Sequence, residues 1–237
     1  MSKKILFGLT TTPGSDWREK IRKIDDLGIK ELALFPTFLK PEERKELYQL
    51  LEGTNLENIP HVHLRDDMEQ WELDYFVERY KTQVFNIHSH KAVADYYKNS
   101  KYVDMIYIEN HYHIDDDFRN ALNLFAGVCP DFSHWEDYGV IQESRSYDQF
   151  PEILKSRKIG CCHISAIRDY PDILTNYLNG EEVRVFGWHK FEKLNEFDYL
   201  KKYFKYLPDL ISIELENSFK EQILARDYII NLIKQYE

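Results

Sequence analysis

Residues 5–35, ILFGLTTTPGSDWREKIRKIDDLGIKELALF, contain one strand–helix–strand unit from which the rest of the architecture can be predicted. Its first residues, Ile5–Leu9, combine β-branched, aromatic and other apolar side chains and predict a strand. Asp16, with Glu19 three residues later, is typical of a capping box, and apolar residues at helical spacing follow until Gly28. Glu31–Phe35 then predicts a second strand. Strand, helix and strand in this order form the unit from which parallel sheets are built.

The same alternation continues along the rest of the chain. Helical patterns lie between most of the eight segments that predict strands, which are Ile5–Leu9, Glu31–Phe35, His61–Leu64, Val84–Ile87, Met105–Ile108, Ala126–Cys129, Cys161–Ile164 and Leu210–Leu215. This repetition predicts an α/β fold, a single (β/α)8 TIM barrel. A doubly wound open sheet is the alternative. Its nucleotide-binding form carries a glycine-rich phosphate loop, which the segment from Gly8 to Gly14 matches poorly.

Length and composition agree with this architecture. The 237 residues suit one barrel, so we expect a single domain over residues 1–237. Hydrophobic residues make up 43% of the chain and charged residues 30%, which allows a packed core. The longest stretch without a clear strand pattern runs roughly from Arg168 to Pro208 and contains the turn signal Asn179-Gly180. Part of it is expected to form a loop over the C-terminal face of the barrel, where it would be a natural lid.

Charge, hydropathy and cysteine usage bear on partners and location. No apolar run approaches the roughly 20 residues that cross a bilayer, and the N-terminal apolar stretch is too brief for a signal peptide. Three cysteines, Cys129, Cys161 and Cys162, cannot all pair within the chain, and we expect reduced thiols in a cytoplasmic protein. The formal charge of −10 makes nucleic acid an unfavourable partner. A small-molecule substrate is expected instead, and the sequence leaves a homo-oligomer open.

Histidines and carboxylates collect at the ends of the predicted strands. Six of the nine histidines form three His-x-His pairs, His61/His63, His88/His90 and His111/His113. Four further residues follow or lie on the last four predicted strands: Glu109, Asp131, His163 and Glu214. Since the C-terminal strand ends of a parallel barrel converge on one pocket, these four could hold one divalent cation. A mainly oxygen ligand set suits Mn²⁺ or Mg²⁺, with Co²⁺ and Zn²⁺ as alternatives.

Four short strings resemble the xylose isomerase-like TIM barrel superfamily, which includes sugar isomerases, sugar epimerases and the family 2 apurinic-site endonucleases. The strings are YIENH (107–111), CPDFSH (129–134), CHI (162–164) and SIELE (212–216), and the resemblance spans the chain in strand order. It implies that Glu109, Asp131, His163 and Glu214 bind one metal, and that Glu109 and Glu214 are catalytic and move the substrate proton. The implied function is a divalent-metal-dependent isomerase or epimerase of a small sugar or sugar-like hydroxy-carbonyl, with proton transfer through a metal-stabilised enediolate.

The endonuclease branch of the same superfamily implies an alternative, a zinc-dependent phosphodiesterase with two or three zinc ions. Its additional ligands resemble four histidines here, His63, His88, His134 and His189. The aspartate expected two residues before the last of them is Gly187, a departure that puts a trinuclear site in doubt. His63 and His88 therefore stay open between contact with substrate or a second metal and a purely structural role at a strand end. His134 stays open between a second ligand and a neighbour that orients the first, and His189 is a possible second-metal or orienting residue. A non-catalytic barrel that binds a metabolite is a third hypothesis.

Three further residue choices complete the predicted site. Glu216 shares a face with Glu214 in a strand of period two, and the resemblance favours Glu214 as the ligand. Arg184, in the predicted lid segment, is a candidate for binding a substrate phosphate or hydroxyl. His61 and the remaining histidines of the three pairs are expected to orient the ligands or to lie at the surface.

Overall fold

The computed structural model describes residues 3–175 and 182–236, and eight parallel strands in it form a nearly closed barrel. The strands, in chain order, are β1 (Lys4–Thr10), β2 (Glu31–Phe35), β3 (Asn58–His63), β4 (Val84–His88), β5 (Ile106–Glu109), β6 (Gly127–Cys129), β7 (Cys162–Ile164), β8 (Ala166–Thr175), β9 (Glu182–Trp188) and β10 (Leu210–Ile213). All except β8 and β9 belong to the barrel, in the order β6-β5-β4-β3-β2-β1-β10-β7. The predicted (β/α)8 barrel is therefore confirmed.

The seam between β6 and β7 closes the barrel through isolated contacts. Val128 pairs with Ile159 and Asp131 pairs with His163, both in parallel orientation. The His163 amide donates to the Pro130 carbonyl at 3.0 Å. Gly127 adopts a φ of +155° here, and a Cβ at this position would lie 2.1 Å from the Lys158 carbonyl oxygen, so the close approach requires glycine. The seam thus brings Asp131 beside His163 at the C-terminal end of the barrel.

The helices lie between the barrel strands. They are α1 (Trp17–Arg22), α2 (Pro41–Glu52), α3 (Gln70–Tyr80), α4 (Lys91–Tyr97), α5 (Asp116–Ala121), α6 (Phe132–His134), α7 (Phe150–Ser156) and α8 (Phe219–Lys234). A π-helix, Trp135–Ile141, continues directly from α6. A capping box of Ser218 and Glu221 begins α8, and Pro41 occupies the first turn of α2. Asp131 begins α6, because its side chain accepts a hydrogen bond from the His134 amide.

Two apolar clusters hold the barrel together. The larger cluster joins outward-facing strand residues such as Leu34 and Val62 to helix residues such as Phe76. The smaller cluster includes Leu6, Phe35, Tyr107, Cys129 and Cys161. Because side chains of a strand alternate between its two faces, residues that share the parity of Glu109 on β5, such as Tyr107, point into the barrel. An apolar plug therefore fills the barrel below the polar residues at its C-terminal mouth.

The segment Arg168–Pro208 differs from the sequence prediction. Its first part belongs to an antiparallel hairpin of β8 and β9, and a 3₁₀ helix, Leu194–Lys202, follows. The prediction of no clear strand was wrong. Pro171 and several charged residues interrupt the apolar alternation of β8, so its sequence does not look like a strand. Backbone hydrogen bonds to β9 stabilise β8 instead. The predicted Asn179-Gly180 turn lies outside the described residues.

The bounds of most predicted strands differ by a few residues from the observed ones, and two differences concern the end of β10 and the end of α1. Strand β10 ends at Ile213, so Glu214 and Leu215 follow the strand. Helix α1 ends at Arg22, and a series of turns then leads to Gly28, whose φ is +62°. Both differences leave the order of the elements unchanged.

All three cysteines are buried and free. Among residues 3–175 and 182–236, none of the helices has the length and apolar character needed to span a bilayer.

Candidate metal centre

The four predicted ligands meet at the C-terminal mouth of the barrel. Glu109 ends β5, Asp131 follows β6, His163 lies on β7 and Glu214 follows β10. The Nδ1 atom of His163 lies 3.4 Å from Glu109 Oε2, 3.3 Å from Glu214 Oε2 and 4.0 Å from Asp131 Oδ2. All four side chains are buried. The structure thus gathers three carboxylates around one imidazole nitrogen.

Several buried polar atoms of this group have no hydrogen-bond partner in the described part of the chain. They are Asp131 Oδ2 and both ring nitrogens of His163. The other oxygen of Asp131 is fixed, since Oδ1 accepts from the His134 amide at 2.9 Å and from Ser133 Oγ at 2.5 Å. Leaving buried polar atoms unpaired costs free energy, and each such group needs an explanation. A divalent cation fits this donor set, because carboxylate and imidazole are its usual ligands.

A second group of ligand atoms surrounds the other side of Glu109. His63 Nε2 lies 3.1 Å from Glu109 Oε2, and His88 Nε2 lies 3.6 Å from Glu109 Oε1. His63 Nδ1 lies 2.8 Å from the Leu64 carbonyl oxygen, which can only accept, so Nδ1 carries a hydrogen. Burial lowers the pKa of His63 although Glu109 opposes this, so the ring is neutral at neutral pH. The lone pair of His63 Nε2 therefore faces a carboxylate oxygen, and a cation between the two atoms would remove the repulsion between them.

The remaining predicted histidines lie at the edges of the cluster. His134 Nε2 is 3.6 Å from Asp131 Oδ2 and 3.9 Å from Glu109 Oε1. His189, just after β9, places Nδ1 3.7 Å from Glu214 Oε1. Ligand atoms within 4.8 Å of one another form three overlapping groups at the mouth, which are His63/His88/Glu109, Glu109/Asp131/His134 and Asp131/His163/Glu214. Glu109 and Asp131 each belong to two groups, as a bridging carboxylate would.

The electrostatics of the cluster favour a positive charge at its centre. Burial would raise the pKa of Glu214, but His189 and His163 outweigh it and lower the value to about 2. Burial also opposes ionisation of Glu109, yet His163 and His88 hold its pKa well below the ordinary range. Conversely, burial favours a neutral His163, but Glu109 and Glu214 raise its pKa well above the usual value. Either a proton on His163 or a divalent cation would supply positive charge among these carboxylates.

Two other candidates lie apart from these groups. Arg184 is exposed on β9, with its guanidinium 5.4 Å from the centre of the Phe186 ring. Glu216 belongs to none of the three groups, and its carboxylate lies against Gly14, where an added Cβ would be 2.2 Å from Oε2. The binding role of Arg184 stays a prediction.

Two polar residues near the cluster were missed from the sequence. Asn86 Nδ2 donates to Glu109 Oε2 at 2.5 Å. It precedes His88 by two residues on β4 and therefore shares its face, a signal that could have found it. Asp137, on the π-helix, accepts from the amides of Phe186 and Gly187 at 2.9 and 2.8 Å. Its carboxylate lies beside Gly187, where the resemblance led us to expect an aspartate, and no local sequence signal indicates this contact.

Comparisons with known proteins support the fold. No protein-family model matches the chain, and no curated protein is significantly similar to it. A xylose isomerase-like TIM barrel protein from Mycobacterium smegmatis, solved in complex with magnesium, aligns with a TM-score of 0.53 at 13% identity over 98% of this chain and 97% of that one. Two weaker matches are an uncharacterized protein from Parabacteroides distasonis (TM-score 0.46, 17% identity, 99% of both chains) and a family 2 AP endonuclease from Brucella melitensis (0.48, 10%, 92% and 96%). The chain thus has the fold of the xylose isomerase-like TIM barrels.

Proposed function

We propose that this protein is a divalent-metal-dependent isomerase or epimerase of a small sugar or sugar-like hydroxy-carbonyl. The observation that carries the proposal is that two ionised carboxylates, Glu109 and Glu214, both lie near His163 Nδ1, at 3.4 and 3.3 Å. The magnesium bound to the M. smegmatis barrel is consistent with a divalent cation here. Bases beside a positive charge are one combination that supports proton transfer next to the carbonyl of a hydroxy-carbonyl.

Glu109, Asp131, His163 and Glu214 would hold the cation. Three carboxylates and one imidazole suit Mn²⁺ or Mg²⁺, with Co²⁺ and Zn²⁺ as alternatives. When bound, the cation supplies polarisation of the substrate carbonyl. Asp131 can bind the cation through Oδ2. The His134 amide donates to Oδ1 and orients the carboxylate, and Oδ2 has no hydrogen-bond partner among the described residues.

Glu214 is better placed than Glu109 to remove the substrate proton. Both carboxyls have lowered pKa values and are ionised at neutral pH, so either can accept a proton. Asn86 already donates to Glu109, whereas no amide or hydroxyl of the described residues donates to the Glu214 carboxylate. We therefore assign proton removal to Glu214 and proton return to Glu109. A positioned acid or base typically contributes about 10²–10⁴-fold to the rate.

The surroundings of the mouth favour an uncharged polyhydroxyl substrate. Arg65 after β3 and Arg168 on β8 each pair with a carboxylate, since Arg65 Nε donates to Asp67 at 2.8 Å and Arg168 Nη1 donates to Asp172 at 3.2 Å, although Arg168 Nε has no hydrogen-bond partner among the described residues. A row of rings lines one side of the mouth, with His88 to His111 at 4.8 Å and His111 to His134 at 5.0 Å between ring centres. Imidazole nitrogens bind hydroxyl groups in either protonation state, and ring faces pack against the carbon skeleton of a sugar.

The direct test is hydrogen exchange into substrate. The protein, loaded with Mn²⁺, is incubated in D₂O with a panel of small aldoses and ketoses, and deuterium at the carbon next to the carbonyl is measured by NMR. We expect incorporation with at least one sugar and its loss in Glu214→Gln. Glu216→Gln is the matched control, because this carboxylate lies two residues away and outside the ligand groups. Exchange that persists in Glu214→Gln would contradict the assignment.

A second candidate function is supported by the His63/His88/Glu109 group. With the Asp131/His163/Glu214 group it offers two adjacent cation sites, which is the arrangement used for phosphodiester hydrolysis. This hypothesis expects at least two zinc ions per chain, the loss of one in His63→Ala, and cleavage of a duplex that contains an abasic site. A single tightly bound cation, with no cleavage of that duplex, favours the isomerase. Bound metal with neither activity would favour a non-catalytic binding barrel.

A further inference from the structure

A buried chain of hydrogen bonds crosses the barrel and ends on Glu109. Ser212 Oγ and His61 Nδ1 are 2.7 Å apart, and His61 Nε2 and Asn86 Oδ1 are 2.9 Å apart. Asn86 Nδ2 then donates to Glu109 Oε2 at 2.5 Å. The four residues come from β10, β3, β4 and β5, and the first three are completely buried.

The hydrogen positions along this chain follow from its last member. An ionised carboxylate only accepts hydrogen bonds, so the amide nitrogen of Asn86 must face Glu109 and its oxygen must face His61. His61 Nε2 therefore carries a hydrogen and donates it to Asn86. In a neutral ring Nδ1 is then unprotonated, so the Ser212 hydroxyl, 2.7 Å away, can donate to it and hold this tautomer. Each donor in the chain thus has one acceptor.

We propose that His61 and Asn86 are positioning residues that fix the Glu109 carboxylate for cation binding, an inference that rests on the metal-dependent function proposed above. Glu109 is shared by several groups, because His63, His88 and His163 all lie within 3.6 Å of its oxygens. The Asn86 amide occupies one lone pair of Oε2 and so restrains rotation of the carboxylate. Residues that hold a metal ligand in place commonly change metal affinity by about 10- to 100-fold when removed.

A competing role for His61 would be ligation of a thiophilic metal. Cys129, Cys161 and His61 offer ligand atoms within 4.8 Å of one another inside the barrel. Cys161 Sγ lies 3.5 Å from His61 Nε2. However, this nitrogen already donates its hydrogen to Asn86, so it has no lone pair to offer a metal. The tautomer of His61 separates the two roles.

The first experiment measures that tautomer in the wild-type protein. Long-range ¹H–¹⁵N correlation spectra distinguish neutral rings protonated at Nε2 from those protonated at Nδ1, and the His61→Gln spectrum assigns the signal. We expect a neutral, Nε2-protonated ring that persists when Zn²⁺ is added. A ring protonated at Nδ1, or loss of the Nε2 hydrogen on addition of Zn²⁺, would overturn the proposal.

The second experiment measures Co²⁺ affinity by absorption titration. Asn86→Leu and His61→Leu should bind Co²⁺ about 10- to 100-fold more weakly than wild type. His61→Gln should retain most of the affinity, because its amide nitrogen can replace Nε2 as the donor to Asn86. Asn58→Leu is the matched control, since Asn58 also donates from a barrel strand to a glutamate, Glu31, but at the opposite end of the barrel.

These outcomes test the hydrogen-bond chain from Ser212 to Glu109 and do not depend on which reaction the protein catalyses. Unchanged Co²⁺ affinity in a folded Asn86→Leu protein would overturn the proposal, as would a thiolate-to-cobalt charge-transfer band in the wild type. If the leucine variants fail to fold, the wild-type tautomer still decides. An Nε2-protonated His61 and weakened Co²⁺ binding, without deuterium exchange in any sugar, would sustain the positioning role and reject the isomerase.

Discussion

His63 and Glu109 approach to 3.1 Å through two atoms that both accept hydrogen bonds. At this distance, which is about van der Waals contact, the two lone pairs repel each other, and a proton or a cation between the atoms would remove the repulsion. The same argument holds for Asp131 Oδ2, which is buried without a hydrogen-bond donor among the described residues. Two features therefore indicate a metal here: residue types that bind metals, and buried ligand atoms that lack a hydrogen-bond donor.

Asp131→Asn tests this argument with little change in shape. Asparagine keeps an oxygen that can accept from the His134 amide and begin α6, but it removes the charge that faces His163. We expect a folded protein whose affinity for Mn²⁺ falls by more than about 100-fold, the upper end of the effect seen for residues that only support a ligand. Isothermal titration calorimetry measures the affinity. Asp115→Asn, which changes the equivalent capping residue of α5, should bind Mn²⁺ like wild type; equal affinities in both variants would count against Asp131 as a ligand.

How far the sequence predicts the site depends on where each signal lies. Glu109, Asp131, His163 and Glu214 were predictable as neighbours, because strand order alone brings the ends of β5, β6, β7 and β10 together. The contact of Asn86 with Glu109 was not predicted, because it depends on the directions of side chains on two neighbouring strands. The contact of Asp137 with the β8–β9 hairpin joins residues about 50 positions apart, which no local pattern encodes.

Among the secondary-structure elements, α2 and α3 are joined by a buried ion pair. Arg44 donates through Nε and Nη2 to the two oxygens of Glu72 at 2.8 and 2.9 Å, and the Tyr48 hydroxyl also donates to Glu72. Both charged side chains are buried. Removing one partner would leave the other charge buried without compensation, which is costly.

Arg44→Met should therefore lower the free energy of unfolding by about 3–5 kcal/mol. Urea denaturation, followed by circular dichroism, measures the change. Arg18→Met provides the comparison, because Arg18 makes a two-bond ion pair with Glu46 that is exposed to solvent, and exposed pairs contribute little to stability. Similar losses in the two variants would show that the buried pair has no special role.

The elements themselves were predicted well where apolar patterns are strong. All eight barrel strands occur within a few residues of their predicted positions, since buried parallel strands are nearly continuous apolar runs. The hairpin of β8 and β9 was missed because its residues are half exposed and interrupted by Pro171. Pairing with a partner strand, which single-segment patterns do not contain, stabilises it.

For the whole molecule, a buried lysine makes stability depend on pH. Lys20 on α1 donates to the Leu215 carbonyl at 2.7 Å and to Thr10 Oγ1 at 3.2 Å, linking α1 to the ends of β1 and β10. Burial lowers its pKa to about 7, although Glu216 and Glu221 oppose the shift. An unfolded lysine has a pKa of about 10.4. Between these two values the unfolded chain binds more protons than the folded one, so stability rises with pH across this window.

Lys20→Met should remove this dependence. The wild type is expected to gain stability relative to Lys20→Met as pH rises from about 7 to about 10, by as much as roughly 4 kcal/mol. Urea denaturation at several pH values gives the difference between the two proteins, which cancels the titration of other groups. Lys23→Met, an exposed neighbour, should show no such trend relative to wild type. A difference between wild type and Lys20→Met that is constant with pH would contradict the assignment.

We expect Glu109, Asp131, His163 and Glu214 to bind one divalent cation together at the mouth of the barrel. Anomalous diffraction from a crystal soaked in Mn²⁺ locates such a cation. We predict a peak at about 2.0–2.2 Å from one atom of each of the four side chains, a distance typical of first-row divalent ions. An additional peak between His63, His88 and Glu109 would add the second cation of the hydrolase hypothesis. A Mn²⁺ peak only elsewhere, or none at the four residues, would contradict the account.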